Sequence, residues 1–342
     1  MEGAYSVTQK TEKPAEYLFK IPNAQFGLMS CSGEDSAKFL QGQLTCDILK
    51  LAPGVASLAA ACTAQGRAIS IFHIFYERAP IGIENLHQDQ HANQIASDTS
   101  ADPQLAEIND LKTLKAHEFF FLLPLDNLEN TLAHLKKYSV FSKVTLVEKS
   151  LKDYSLVIDS SQSQPAYDWV QLSPTHSNEY QAYLAPNNSL ANIENEPLQT
   201  GSFDLWHRSW LNKGLLWPSY AISGQYIPQD IGLDLLAGVS FNKGCYTGQE
   251  PIARLHFRGK TKFGIFKVTA FDKLPEVSTE FKDQASNRII GKLIDVTSEP
   301  PYIGLARLRL DANPAETKDQ IFIAEQDAPL KIEKIAYTEI VS

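Results

Sequence analysis

The stretch FNKGCYTGQEPIARLHFRGK, residues 241–260, is the most distinctive part of this sequence. Gly244 and Gly248 lie close together in it, and glycines let a backbone turn sharply and approach a ligand closely. Cys245 lies outside any apolar helical or strand pattern. Glu250 is the single acidic residue near it. The basic residues near it are Lys243, Arg254, Arg258, Lys260 and Lys262. Because positive charge stabilises a thiolate, Cys245 is either a reactive thiol or a small buried cysteine in a turn.

Upstream of this stretch, helical and extended patterns alternate. Residues 32–44 predict a helix capped by Ser32, since apolar side chains recur on one face. Residues 56–63 and 68–76 predict the two strands of a hairpin, and Gly66 would supply the positive φ of its turn. The chain therefore begins with both kinds of secondary structure.

Two more helices and a series of short strands complete the pattern. Asp126 is expected to cap a short helix, and Ser202 is expected to cap one that carries Trp206 and ends at Gly214. Short strands with turn residues then predict a small closed antiparallel domain, over the segments 263–271, 289–297, 302–310, 320–324 and 330–337. Strands and helices in mixed order indicate an α+β fold.

The composition excludes several classes of protein. A chain of 342 residues predicts two or three domains. The formal net charge of −9 argues against direct nucleic-acid binding, because phosphate recognition needs a basic face. No apolar run is typical of a signal peptide or long enough to span a bilayer, so a cytoplasmic protein without membrane contact is expected. Cysteines without zinc-site spacing are expected to be free thiols in a reducing compartment.

Residues 79–110 differ from the rest of the chain. They contain several Asp and Glu residues and no Lys or Arg, and they predict a long acidic surface insertion. His87 and His91 have a spacing that would place two metal ligands on one helix face. Because no apolar pattern supports a helix there, a solvated loop is favoured.

Four blocks of the sequence resemble the YgfZ family. KGCYTGQE, residues 243–250, resembles the family signature. Three further blocks agree in order, namely GEDSAKFLQGQLTCD at 33–47, KKYSVFSKVT at 136–145 and SGQYIPQ at 223–229. The resemblance covers most of the chain, from about Phe26 to Lys262, and the final strands match only in pattern.

This resemblance implies a fold and a function. The fold would be the three-domain clover-leaf of the glycine-cleavage aminomethyltransferase, ending in a small antiparallel β-barrel. Residues 1–260 would form a folate-binding region of two intertwined α+β domains, and residues 261–342 the barrel. The function would be to bind tetrahydrofolate or a derivative and to support the assembly or repair of iron–sulfur proteins. One such client would be a radical enzyme that thiolates tRNA, so the effect on tRNA modification would be indirect.

The resemblance also implies site residues. It places Phe26 and Trp206 against the folate, where aromatic faces stack well on a flat ring. Phe26 departs from the tryptophan that is frequent in the family, and both residues could instead be core aromatics. Arg67 would either meet the glutamate tail of the folate or face water. The other implied folate-binding residues belong to the signature region: Lys243, Tyr246, Gln249, Glu250, Arg254 and Arg258.

Cys245 is the key thiol in this interpretation. It would act as a redox thiol or as a ligand of a transient cluster. Since iron–sulfur clusters usually take four protein ligands, one cysteine cannot hold a cluster alone, and no stable metal site is expected.

Ser70 and Ile71 stand where the aminomethyltransferase carries an acidic pair. A serine cannot replace an aspartate as a proton acceptor without a partner base, so aminomethyl transfer is not expected. Two alternatives stay open, a folate-dependent one-carbon transferase and a tRNA-binding module built on the basic run 254–262.

Overall fold

The computed structural model describes residues 18–77, 117–159, 168–172, 181–190, 198–270, 273–283, 286–312, 321–323 and 330–335. The predicted acidic insertion at 79–110, with His87 and His91, lies outside the described residues. None of the helices in the described parts of the chain is both long and apolar enough to span a bilayer.

The strands, in chain order, are β1 Leu18–Ile21, β2 Phe26–Ser32, β3 Ser57–Cys62, β4 Ala68–Tyr76, β5 Phe119–Pro124, β6 Thr145–Lys149, β7 Tyr154–Asp159, β8 Val170–Gln171, β9 Gln181–Pro186, β10 Leu198–Thr200, β11 Phe263–Ala270, β12 Glu280–Asp283, β13 Ile289–Val296, β14 Tyr302–Arg309, β15 Ile321–Ile323 and β16 Leu330–Lys334. The helices are α1 Ser36–Gln43, α2 Leu128–Tyr138, α3 Asn187–Leu190, α4 Phe203–Asn212 and α5 Gln249–Arg258. This mixture is the predicted α+β composition.

The described strands form three sheets. The first has the order β10-β1-β7-β9-β8, and the second has the order β3-β4-β5-β2-β6. The chain leaves the first sheet after β1, builds the second, and returns to the first with β7. The third sheet has the order β15-β12-β13-β14-β11-β16, with antiparallel pairing throughout. It is the predicted C-terminal barrel, present as a six-stranded half-barrel.

Local signals fix the hairpin and α4. The turn between β3 and β4 contains Gly66 at φ +74°, as predicted. The Ser202 hydroxyl accepts a hydrogen bond from the N–H of Leu205 at 3.2 Å, and the chain turns at Gly214 with φ +71°. Both ends of α4 therefore lie where the sequence places them.

Two predicted caps are wrong. Ser32 is the last residue of β2, and α1 begins only at Ser36. The helix after Asp126 begins at Leu128, and the Asp126 carboxylate accepts a hydrogen bond from the N–H of Tyr220 at 3.0 Å. The Asp126 side chain therefore binds a residue far away in the chain instead of the start of the helix. The sequence alone does not reveal such a partner.

A large apolar core joins the three sheets. It contains Ile21 from the first sheet, Ile71 from the second and Leu305 from the third. Trp206 and Trp210 of α4 lie at 0% and 1% exposure within it. Helix α4 is therefore the element around which the sheets pack.

Candidate functional site

A cavity of about 450 Å³ lies beside α4, where elements of the second and third sheets meet. We call it the α4 cavity. Its aromatic lining is Phe203 and Trp217, and its titratable lining residues are Asp126, His207 and Asp295. The other lining residues are Ala24, Gln25, Pro124, Leu125, Ser219, Val277 and Val296. A mostly apolar cavity of this size with a few polar groups is the usual form of a small-molecule site.

Asp295 gives this cavity a fixed polar edge. Its Oδ1 lies 3.0 Å from Nε2 of His207 and accepts a hydrogen bond from the N–H of Val296 at 2.9 Å. Its Oδ2 accepts from the N–H of Trp217 at 2.7 Å. A buried carboxylate needs such partners, and these tie α4 and the residues after it to β13.

Phe26 and Trp206 lie behind the aromatic lining. The Phe26 ring centroid is 5.5 Å from that of Phe203, 4.9 Å from that of Trp206 and 5.1 Å from that of Trp217. Phe26 is 3% exposed and Trp206 is 0% exposed. In this structure both are core aromatics, and they support the two rings that line the cavity.

Buried polar atoms without partners surround the same cluster. The indole N–H groups of Trp206, Trp210 and Trp217 have no acceptor among the described residues, and neither ring nitrogen of His73 has a partner there. The His73 ring centroid lies 5.3 Å from that of Trp210. Burial lowers the pKa of His73 to about 3, so the ring is neutral at neutral pH. Such atoms are uncommon in folded proteins and call for an explanation, such as bound water.

Lys243 anchors the cysteine loop, which we define as residues 241–248. Its Nζ donates to the carbonyl oxygens of Leu44 at 2.7 Å and Cys46 at 2.6 Å, and it lies 5.0 Å from the centroid of the Tyr246 ring. Burial lowers the pKa of Lys243 to about 8. The ammonium group therefore holds the loop against the segment that follows α1.

The end of the cysteine loop packs on the β3–β4 hairpin. The N–H of Thr247 donates to the carbonyl of Gly42, and its hydroxyl to Oε1 of Gln43, both at 3.0 Å. Gly248 has φ +82°, and a Cβ at that position would collide with the carbonyl oxygen of Thr63 and lie 3.0 Å from Cα of Gly66. Gly248 of the signature block therefore lies against Gly66 of the hairpin turn, and the contact leaves no room for a side chain on Gly248.

Cys245 is exposed, whereas the other three cysteines are buried. Burial raises the pKa of Cys31, Cys46 and Cys62 to about 12, so these thiols are protonated at neutral pH. The alternative that Cys245 is a buried packing residue is wrong. Tyr246 beside it is 7% exposed, and burial raises the pKa of its phenol.

The predicted site residues fall into two places. Phe26 and Trp206 lie in the aromatic core near the α4 cavity, and the rest lie around the cysteine loop. Arg67 donates through Nη1 to the carbonyl oxygen of Gln225 and does not line the α4 cavity. The remaining predicted residues of the signature lie on α5, namely Gln249, Glu250, Arg254 and Arg258.

Sequence reasoning missed Trp217 and Asp295 as lining residues, and it gave His207 only as a lone histidine with weak evidence for a site. One signal was present, because Asp295 interrupts the apolar strand IIGKLIDV, and an acid within such a strand is a buried polar group that needs partners. No sequence signal of this kind points to Trp217, because its position depends on the path that the chain takes after α4.

The positions of the missing acidic pair lie on β4. Ser70 is 2% exposed and Ile71 is 5% exposed, and both line a small cavity of about 10 Å³. Ser219 lines this small cavity and the α4 cavity, so the two are neighbours. Among the described residues, no group of three or more His, Cys, Asp or Glu side chains is arranged to hold a metal ion.

Comparison with known proteins gives a fold and a set of proteins of similar sequence. A solved structure of the glycine cleavage system aminomethyltransferase T from Bartonella henselae matches 95% of this chain and 87% of its own length, with a TM-score of 0.59 and 11% identity. The protein therefore has the aminomethyltransferase fold.

Several curated proteins are similar in sequence to this chain over about three quarters of its length. The tRNA-modifying protein YgfZ of Colwellia psychrerythraea is 28% identical over 271 residues, which are 74% of this chain and 71% of the relative. The YgfZ proteins of Photorhabdus laumondii and Escherichia coli O157:H7 are 27% and 28% identical over 77% and 75% of this chain, and over 74% of each relative. No family model matches the chain. These relatives and the matching fold support the resemblance to the YgfZ family that the four sequence blocks predict.

Proposed function

We propose that this protein binds tetrahydrofolate or a derivative in the α4 cavity and acts as an accessory factor in the assembly or repair of iron–sulfur proteins. Its effect on tRNA modification would follow from clients that are tRNA-modifying enzymes. The α4 cavity carries the proposal, because it combines aromatic faces with a buried polar edge. The similarity to proteins named for tRNA modification supports the proposed effect on tRNA modification. The aminomethyltransferase fold supports folate binding.

The residues of the cavity fit the pterin end of folate. A pterin is flat, with apolar faces and an edge that carries amino and ring N–H donors. Phe203 and Trp217 offer faces for stacking, which contributes about 0.5–1.5 kcal/mol beyond area burial. Asp126 and Asp295 offer carboxylate acceptors. The indole N–H of Trp217 is buried without an acceptor among the described residues, and it would become a donor to a ring nitrogen or carbonyl if the ring turned on ligand binding.

The charge of the lining indicates how the ligand would lie. The cavity lining includes Asp126 and Asp295 and contains no Lys or Arg. The anionic glutamate tail of a folate would be repelled by these carboxylates. We therefore expect the pterin to lie inside the cavity and the tail to point out of it.

Titration calorimetry with tetrahydrofolate under reducing conditions tests this part of the proposal. We expect Trp217→Ala to weaken binding by about tenfold, because stacking and one hydrogen bond together contribute about 1–3 kcal/mol. Trp217→Phe, which keeps a stacking face but loses the N–H, should bind with intermediate affinity. Trp169→Phe is a control, since Trp169 packs on residues of the first sheet away from the cavity lining, and it should bind like the wild type. Absence of binding to the wild type would overturn the folate proposal, and unchanged binding by Trp217→Ala would overturn the site.

The chemistry at the site favours binding over group transfer. Ser70 and Ile71 supply no carboxylate on β4. The exposed thiol of Cys245 is the reactive group that the cysteine loop offers to a partner. We propose that it is a thiolate ligand to a transient cluster whose other ligands come from the client or a small thiol.

A complementation assay tests the role of Cys245. In a strain that lacks this protein, Cys245→Ala and Cys245→Ser should fail to restore the activity of an iron–sulfur enzyme. Gly244→Ala changes an exposed residue of the same loop, where an added Cβ meets no atom within 4 Å, and should restore it. Full restoration by Cys245→Ala would remove Cys245 from the proposal and leave folate binding unaffected.

A further inference from the structure

Helix α5 and the residues after it carry cations without carboxylate partners. Arg254, Arg258, Lys260 and Lys262 are exposed, and none forms an ion pair within the described parts of the chain. On the second sheet, by contrast, Lys149 pairs with Glu118 at 2.8 Å. Four exposed cations without ion pairs therefore lie within nine positions of a chain whose net charge is −9. Such a set is suited to an anionic partner.

A second cavity, of about 430 Å³, lies beside the same helix. We call it the α5 cavity. Phe241, His256 and Phe257 form its aromatic rim, and Leu51 and Val239 are among its apolar lining residues. The Phe241 and His256 rings are stacked, with centroids 3.6 Å apart and an angle of 13° between their planes. The rim is therefore an ordered aromatic surface.

The outer face of α5 is not needed to hold the helix in place. Among its residues only Ile252 is buried, whereas Phe257 is 68% exposed. Large apolar side chains exposed beside a cavity are typical of interaction sites. The combination of an exposed ring, a cavity with aromatic lining and unpaired cations is suited to an occupant with both apolar and acidic groups.

We infer that the surface formed by the α5 cavity, Phe257 and the cations of α5 binds an acidic segment of a partner protein. One apolar side chain of that segment would enter the α5 cavity beside Phe257. Its carboxylates would pair with Arg254 and Arg258, whose planar guanidinium groups form paired hydrogen bonds with carboxylates. Lys260 and Lys262 extend the cationic surface beyond the end of the helix.

A protein segment fits this surface better than a nucleic acid does. Phosphate backbones extend over many charges, and the rest of this acidic chain would repel them. The α5 cavity also includes Asp47, and Glu250 lies at the start of α5. An acidic segment with an apolar anchor places few charges near these carboxylates and uses the cavity.

The inference is independent of folate binding, because the α4 and α5 cavities share no lining residue. It also has a consequence for the cysteine loop. Phe241 and Asn242 belong both to that loop and to the lining of the α5 cavity. A segment bound there would lie against the loop that carries Cys245.

Fluorescence anisotropy with defined peptides tests the inference. The probe is a labelled peptide of alternating aspartate and glutamate with one central phenylalanine. One comparison peptide has alanine at the centre, and another has lysine in place of every acid. We expect the wild type to bind the probe best, more weakly as ionic strength rises. Arg254→Ala combined with Arg258→Ala should raise the Kd by about tenfold. Phe257→Ala should abolish the preference for phenylalanine over alanine.

Lys136→Ala combined with Lys137→Ala removes two exposed cations of α2 and is the matched control, which should bind like the wild type. Phe257→Ala and the α2 control should bind tetrahydrofolate as the wild type does, so a failure here is distinct from a failure of the folate proposal. No binding of the probe, or equal loss in the α2 control, would overturn the inference. Binding of bulk tRNA that is lost in the arginine variant and is not displaced by the probe would also overturn it, since the surface would then be a nucleic-acid site.

Discussion

Helices α4 and α5 have the same length of 10 residues, but they serve the fold in opposite ways. The buried residues of α4 are Asp204, Trp206, His207, Trp210 and Leu211, whereas α5 buries only Ile252. Helix α4 supports the lining of a cavity from within the core. Helix α5 is held mainly where it begins, and it leaves its outer face to solvent. Substitutions in α4 should therefore act on stability, and those on the outer face of α5 on binding.

The largest effect is expected for Trp206→Ala. The side chain is 0% exposed and its ring centroid lies 4.9 Å from those of Phe26, Trp210 and Trp217. Loss of such a side chain leaves a cavity and should lower the free energy of unfolding by about 3–5 kcal/mol in urea denaturation. Phe257→Ala on α5 should stay within about 0.5 kcal/mol of the wild type. Similar losses in both variants would show that the two helices do not differ as described.

The start of α5 should give the next largest effect. Gly248→Ala puts a side chain at φ +82°, where its Cβ meets the Thr63 carbonyl. We expect a loss of about 2–3 kcal/mol, since both backbone strain and a steric collision contribute. Gly244→Ala in the same loop is the control, because a Cβ there has no neighbour within 4 Å. If the urea midpoints of the two variants coincide, the loop is not held through Gly248.

The same contrast explains which elements could be predicted from the sequence. The ends of α4 follow from Ser202 and Gly214, which act on the nearest backbone groups. Helix α5 is not predicted, because its preceding Gly248 is fixed by contact with the distant Gly66. Ile252 is also its single buried residue, so the helix contributes little to the core.

The candidate site shows a similar limit. Phe26 and Trp206 are recognisable as important aromatics, but a ring that faces a ligand and a ring that faces another ring have the same sequence pattern. Trp217 and Asp295 reach the cavity only through the packing of β13 near α4, which joins residues far apart in the chain. Exposure of Cys245 likewise depends on how the loop is anchored, and Lys243 supplies that anchor.

The smallest of the three effects is the contribution of His73, in the core beside α4, to the pH dependence of the free energy of unfolding. Burial holds the pKa of His73 at about 3, below its ordinary value of 6.5. Between these values the unfolded chain binds a proton that the native protein does not, so stability falls as pH falls through this window. The loss attributable to His73 should reach about 1–2 kcal/mol between about pH 7 and pH 5. His73→Phe should lack this part of the pH dependence in urea unfolding.

Leu122→Met provides the control for His73, because Leu122 is its cross-strand neighbour on β5 and does not titrate. This variant should be destabilised by a similar amount at every pH, and its stability curve should run parallel to that of the wild type. If the His73→Phe curve also runs parallel, the native ring must bind a proton as readily as the unfolded chain does. A polar partner, such as bound water or a ligand beside Trp210, would then have to reach His73, and the core around α4 would be less dry than its burial implies.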